Sequence, residues 1–179
     1  MTKRFVLILG GARSGKSSFA MELAEKKKGQ RFYLATAAAL DDEMKERIEQ
    51  HKRERPPSWK TVEEPEHIPK VLKELRTECS VVVLDCITLW LSNLLHNGYD
   101  EKKVWEKVKE FQGVVRENDY MLIAVSNEVG LGIVPDNPLA RRFRDLAGRV
   151  NQKLAEAADE VYFLMSGIPQ KIKSSGEIE

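Results

Sequence analysis

The stretch "GGARSGKS" at residues 10–17 brings together residue types that can hold a polyphosphate. Gly10, Gly15, Lys16 and Ser17 fit the spacing G-x-x-x-x-G-K-[ST], with Gly11, Ala12, Arg13 and Ser14 between them. Glycines there let backbone N–H groups turn inward around phosphate oxygens. Lys16 supplies a positive charge for β and γ phosphates, and the Ser17 hydroxyl is a ligand for Mg²⁺. An apolar run precedes the motif and a helical pattern follows it, so the positive end of a helix points at the same place. A chance glycine-rich turn would not require that context. Asp85 closes a second apolar run, "VVVLDC". A carboxylate so placed either holds Mg²⁺, directly or through water, or caps the helix that follows. The phosphate loop upstream favours the metal.

A different chemistry is suggested by "RIEQHKRERP" at residues 47–56. A helix stacks positions i, i+4 and i+8 on one face, which puts His51 between Arg47 and Arg55. Two guanidinium groups disfavour a protonated imidazole between them. A neutral imidazole is a nucleophile near neutral pH, and the same cations suit a leaving pyrophosphate. Taken alone, the stretch also reads as an ordinary solvated helix face.

Three further segments stay open. "SNEVGLGIVPDNP" (126–138) follows a strand and joins Asn127 and Glu128 to Gly130 and Gly132, as a substrate loop or a plain one. Arg141, Arg142, Arg144 and Arg149 either grip phosphates or form a solvated face or subunit contact. "ITLWLSNLL" is core or subunit interface, with a pocket for a large apolar ligand as the lesser alternative.

The elements that must position these residues follow from pattern. Strands are predicted at 5–9, 31–36, 80–86, 120–126 and 160–167, and "IPQKIK" adds one more at the edge. Helices are predicted at 16–28, 41–54, 66–75, 87–96, 100–117 and 138–159. Residues 49–66 read as an ordered polar excursion carrying Trp59. Strands apolar on both faces, alternating with helices, imply a parallel sheet between helix layers. Ligands bind such sheets at the carboxyl ends of the strands, which selects loops 10–17, 36–41, 85–88 and 126–137.

Composition sets the bounds. The chain has 179 residues, 42% hydrophobic and 32% charged, with a formal net charge of +1. That is one domain, residues 1–179, with a sizeable core. The charge balance makes no general case for nucleic acid or an anionic membrane. No stretch is long enough for a membrane span, and "MTKRFVLILGG" does not read as a signal peptide. Cys79 and Cys86 lie in or beside an apolar run, so a reducing cytoplasm is the expected location. His51, His67 and His96 lack metal-ligand spacing.

Several blocks together are more specific than a generic kinase: "GGARSGKS", "YLATA…DDEMKERIEQHKRERPPSWKTVEEP", "LDCITLWLSNLL" and "SNEVGLGIVPDNPLARRFRDLAGRVNQKLAEAADEVYFLMSGIPQKIK". With these the chain resembles the bifunctional adenosylcobinamide kinase / adenosylcobinamide-phosphate guanylyltransferase family of cobalamin nucleotide-loop assembly. The resemblance covers nearly the whole chain. It implies an α/β, P-loop NTPase-like (RecA-type) fold, mostly parallel and sandwiched between helices, with an antiparallel edge strand. It implies two reactions: phosphorylation of adenosylcobinamide with ATP or GTP, then transfer of GMP from GTP to that phosphate through a covalent GMP–histidine intermediate. The family's R-I-x-x-H-x-x-x-R-P pattern is matched by Arg47, Ile48, His51, Arg55 and Pro56, which carries the histidine's role to His51. Nucleotide contacts carry over to Gly10 through Ser17, Leu34, Ala35, Thr36, Lys52, Arg53, Glu54, Arg55, Glu63 and Asp85. Lys16 is catalytic with His51, and Ser17 and Asp85 are the metal residues. A homotrimer is implied by the resemblance alone. Two competing readings are a simple small-molecule or nucleoside kinase and a nucleotide-dependent switch with a protein partner. Neither would give a protein labelled by GTP carrying its label on the α-phosphate.

Overall fold

A computed structural model describes residues 4–38, 42–53 and 56–174. In chain order these form β1 (Arg4–Gly10), α1 (Lys16–Glu25), β2 (Arg31–Ala35), α2 (Asp42–Arg53), β3 (Trp59–Glu63), α3 (Ile68–Glu74), β4 (Val81–Asp85), α4 (Ile87–His96), α5 (Glu101–Glu117), β5 (Met121–Asn127), α6 (Pro138–Ala157), β6 (Glu160–Met165) and β7 (Ile168–Lys173). The seven strands make one sheet in the order β3-β2-β4-β5-β1-β6-β7. Every neighbouring pair is parallel except β6 and β7, which pair antiparallel at one edge.

Strand alternation divides the core into two layers. On β1, Phe5, Leu7 and Leu9 face one side, among residues of α3, α4, α5 and α6. Val6 and Ile8 face the other, with Ala20 and Ala24 of α1. The central strands β4 and β5 repeat this alternation, so their runs are apolar throughout, as buried parallel strands require.

The structure corrects the sequence reading in one element. The polar excursion contains β3, a parallel edge strand paired with β2 from Trp59 opposite Arg31 to Glu63 opposite Ala35. Its burial is uneven: Trp59 is buried and its next two residues are exposed. An edge strand with one wet face has no apolar run to announce it.

Helix α1 stops three residues before the predicted end, because the chain must turn into β2. The guanidinium of Arg31 closes that end, donating to the carbonyls of Ala24 at 3.4 Å, Glu25 at 3.1 Å and Lys27 at 2.7 Å. Helix α3 also ends early and passes into a tighter turn at Leu75–Thr77. "ITLWLSNLL" is core: Ile87, Trp90, Leu91 and Leu94 are fully buried. No helix among the described residues is long and apolar enough to cross a membrane.

Candidate active site

The phosphate loop links β1 to α1, and its backbone takes shapes that suit glycine. Gly10 has φ 152° and Gly15 φ 88°. A Cβ on Gly10 would lie 2.6 Å from the carbonyl oxygen of Leu164, so side chains are excluded there on contact as well as conformation. The β6–β7 turn braces the loop from below, where the Gly167 N–H donates to the Ser14 carbonyl at 3.0 Å. Phe19 of α1 also packs edge-on against Tyr162 of β6.

Lys16 is 7% exposed. Its ammonium donates to the Gly11 carbonyl at 2.5 Å and approaches the Ser14 hydroxyl at 3.4 Å. Among the described residues it forms no ion pair. Burial pulls its pKa below the ordinary lysine value, opposed by Cys86 and Asp85. Burial also pushes the Cys86 thiol up to about 12. A buried cation held mainly by neutral oxygens is prepared for an anion from outside.

Asp85 does not cap α4. That position belongs to Cys86, whose Sγ accepts from the Leu89 N–H at 3.5 Å. The Asp85 carboxylate instead accepts from the Ser17 hydroxyl and the Tyr33 hydroxyl, each at 2.5 Å on Oδ2. Two hard oxygen donors, the Ser17 hydroxyl and a strand-end carboxylate, are thus in direct contact beside the phosphate loop. That donor set fits Mg²⁺.

The cleft over this group has a volume of about 460 Å³. Ala12 through Ser18 form one wall, with Asp85, Cys86, Leu89 and Asn127 behind. Tyr33, Ala35 and Ala37 continue it along β2, and Ile48 and Glu63 close the far side. Of the residues expected at the nucleotide, Ala35 and Glu63 therefore line the cleft. Leu34 does not, because strand alternation turns its side chain into the opposite core layer, fully buried. Thr36 is fully buried too. Its hydroxyl donates to the Cys86 carbonyl at 2.8 Å and accepts from the Cys86 N–H at 2.7 Å, which ties β2 to the end of β4.

Helix α2 approaches the cleft through Ile48 and Lys52, one turn apart. The Lys52 ammonium meets Glu63 at 2.7 Å and Glu49 at 3.2 Å. These bonds raise its pKa, Glu63 first and Glu49 second. Arg53 is exposed and donates to the Glu49 carbonyl of its own helix. His51 belongs to α2 by its backbone; its side chain and that of Arg47 are outside the described part, as are residues 54 and 55, the expected Glu54 and Arg55.

The arginines of α6 lie elsewhere. Arg141 donates to the carbonyls of Pro135 and Asp136, Arg149 pairs with Glu101 at 2.7 Å, and Arg144 with Asp145 at 3.6 Å. None of the four lines the cleft. Sequence reasoning missed Tyr33 and Leu89, since an aromatic in a strand and a leucine in an apolar helix carry no signal of chemistry. Tyr33 shares strand parity with Ala35, and that parity was the available clue.

A phosphate loop between an interior parallel strand and a helix, with a carboxylate ending another strand of the same sheet, defines a RecA-type P-loop fold. The backbone supports this: the RadB recombinase superposes with a TM-score of 0.51 at 13% identity, over 90% of this chain and 74% of that one. The profile of the family "Cobinamide kinase / cobinamide phosphate guanyltransferase" matches residues 6–172, and the chain belongs to that family. The bifunctional adenosylcobalamin biosynthesis protein CobU of Escherichia coli is 43% identical over 94% of this chain and 99% of its own. CobU of Salmonella typhimurium is 42% identical with the same coverage. The protein CobP of Pseudomonas aeruginosa, of like description, is 41% identical over 93% of this chain and 96% of its own.

Proposed function

We propose that this protein phosphorylates adenosylcobinamide with ATP or GTP and then transfers GMP from GTP to the product through His51. The observation that carries the reading is the phosphate loop with Lys16, Ser17 and Asp85 in one cleft whose far side meets α2, the helix that holds His51.

In the first reaction the alcohol oxygen of the acceptor bonds to the terminal phosphorus. The bond to the bridging oxygen breaks, the nucleoside diphosphate leaves with the electron pair, and the alcohol proton passes to solvent. Loop N–H groups and Lys16 hold the phosphates and stabilise charge as it shifts. Ser17 and Asp85 would hold Mg²⁺, which when bound neutralises phosphate oxygens. In the second reaction an imidazole nitrogen of His51 bonds to the α-phosphorus of GTP and pyrophosphate leaves with the electron pair. A phosphate oxygen of the acceptor then bonds to that phosphorus, and the P–N bond breaks with the nitrogen leaving protonated. Adenosylcobinamide-GDP and the free histidine result.

Gly10 through Ser17, Ala35, Lys52, Glu63 and Asp85 are assigned to the nucleotide. Arg53, Glu54 and Arg55 are assigned to it together with α2, and Leu34 and Thr36 by their backbone or by support of the cleft wall. A homotrimer belongs to the same reading; Leu131, Ile133 and Leu139 before and on α6, and Ile168 and Ile172 on β7, are exposed apolar side chains that subunit contacts would cover. A cytoplasmic site of action suits two buried, unpaired cysteines.

Intact-protein mass spectrometry after incubation with GTP and Mg²⁺ tests the central step. A GMP adduct is expected on the parent and not on His51→Ala, and the adduct should be acid-labile yet fairly stable to base. An adduct on His51→Ala, or none on the parent, would refute the assignment.

A further inference from the structure

We propose that Asn127 is a further catalytic residue, its carboxamide donating to a non-bridging oxygen of the terminal phosphoryl group in the kinase reaction. The inference rests on the nucleotide reading above.

Strand β5 lies between β1, which carries the phosphate loop, and β4, which carries Asp85. Register sets Asn127 opposite Gly10, the first residue of the loop, and Val125 opposite Asp85. Asn127 therefore reaches one side-chain repeat beyond Asp85 towards the open end of the cleft. It shares the parity of Met121, Ile123 and Val125, whose side chains face the layer of α1. Its side chain lines the cleft, and among the described residues its carboxamide makes no hydrogen bond.

The contrast is with its backbone, which is held on every side. The Asn127 N–H donates to the Thr88 hydroxyl at 2.6 Å. Its carbonyl accepts from the Asn151 amide at 3.2 Å. The next N–H, of Glu128, donates to the Gly10 carbonyl at 2.9 Å. Thr88 and Asn151 are joined through Ser126, whose hydroxyl lies 3.0 Å from that of Thr88 and donates to Asn151 Oδ1 at 2.7 Å. Thr88, Ser126 and Asn151 are 5%, 1% and 4% exposed. Three buried polar side chains in an apolar layer are costly unless fully satisfied, and this chain satisfies them by gripping one residue. A rigid backbone with an uncommitted amide at the reacting end of a phosphate cleft is the arrangement that stabilises charge without reorganisation.

The amide would act as the alcohol oxygen bonds to the terminal phosphorus and the nucleoside diphosphate leaves with its electron pair. It gives and takes no proton. Thr88, Ser126 and Asn151 are positioning residues, acting through Asn127.

The test is steady-state kinase assay with ATP and adenosylcobinamide, alongside ATP titration by calorimetry. Asn127→Ala should lower kcat by about 10²-fold, the scale of losing one preorganised donor, with Kd for ATP changed far less. Asn127→Asp, nearly isosteric, should lose at least as much, because it sets a charge against phosphate. Ser126→Ala should lower kcat in the parent yet add little in an Asn127→Ala background, while its effect on thermal melting is the same in both. Parental kcat in Asn127→Ala, a loss confined to Kd, or multiplying effects in the double variant would overturn the inference. A parent that binds no ATP would overturn the nucleotide reading itself, a result distinct from any of these.

Discussion

The phosphate loop and α2 meet at the same cleft but are built in opposite ways. The loop grows out of β1, an interior strand, its lysine is 7% exposed, and carbonyls, hydroxyls and the β6–β7 turn hold its parts. Helix α2 has Met44 and Ile48 as its apolar residues among 12. Among the described residues, its side-chain links to the cleft wall are Ile48 and the pair of Lys52 with Glu63. A half-exposed ion pair contributes little to stability. The contrast teaches that the phosphate loop is part of the folding core, whereas the proposed nucleophile belongs to a helix none of whose described side chains is buried. In the proposed reading the same cleft serves two reactions, with α2 engaged in one of them.

If so, damage to the loop should remove both activities and damage to α2 only one. The largest effect is expected for Lys16→Ala, with both rates down by about 10³-fold, the upper range for losing a preorganised charge contact. Its melting temperature should not fall, since a buried cation with no ion pair among the described residues costs the folded state. A variant retaining either activity would break the contrast.

His51→Ala should lose guanylyl transfer entirely and keep kinase activity within a small factor, measured as nucleoside diphosphate release. Loss of both together would mean that α2 is as integral as the loop. Asp85→Asn should lower turnover by about 10²-fold and raise the magnesium concentration needed for half-maximal rate, because an amide is a weaker ligand for a hard cation. Equal magnesium dependence in parent and variant would remove Asp85 from the metal.

Lys52→Met cuts the link to Glu63 and should weaken guanylyl transfer more than it weakens the kinase reaction, which sharpens the division. The smallest effect concerns the sheet edge below the loop. Burial opposes the charge of Glu160, but Lys171, Tyr162 and Arg4 hold its pKa below the ordinary carboxylate value. A depressed folded-state value means its stabilisation is complete above the unfolded carboxylate range and is lost as pH falls through the folded value. Thermal melts of the parent and Glu160→Gln should therefore differ at neutral pH and converge in acid.

Some of this was legible before any fold was known. The phosphate loop needs eight consecutive residues, so Gly10 through Ser17 declare their chemistry by spacing alone. Asp85 and the buried strands were readable for the same reason, since a strand covered on both faces must be apolar throughout. Family membership was written in several long blocks of residues. By contrast, β3 has one wet face and no such run, and only its pairing with β2 makes it a strand. Tyr33 bonds Asp85 across 52 positions of sequence. The grip on Asn127 joins Thr88, Ser126 and Asn151 from three elements. Such contacts are decided by strand order and register, which bring together residues that no local pattern relates. Sequence alone determined which residues form the phosphate-loop motif; tertiary structure decided that Leu34 and Thr36 face the core, that Cys86 rather than Asp85 caps α4, and that β5 runs between the loop and its carboxylate. The physical reason is that side-chain direction in a strand depends on parity and on which neighbour lies alongside, and the neighbour is chosen by packing across the whole sheet.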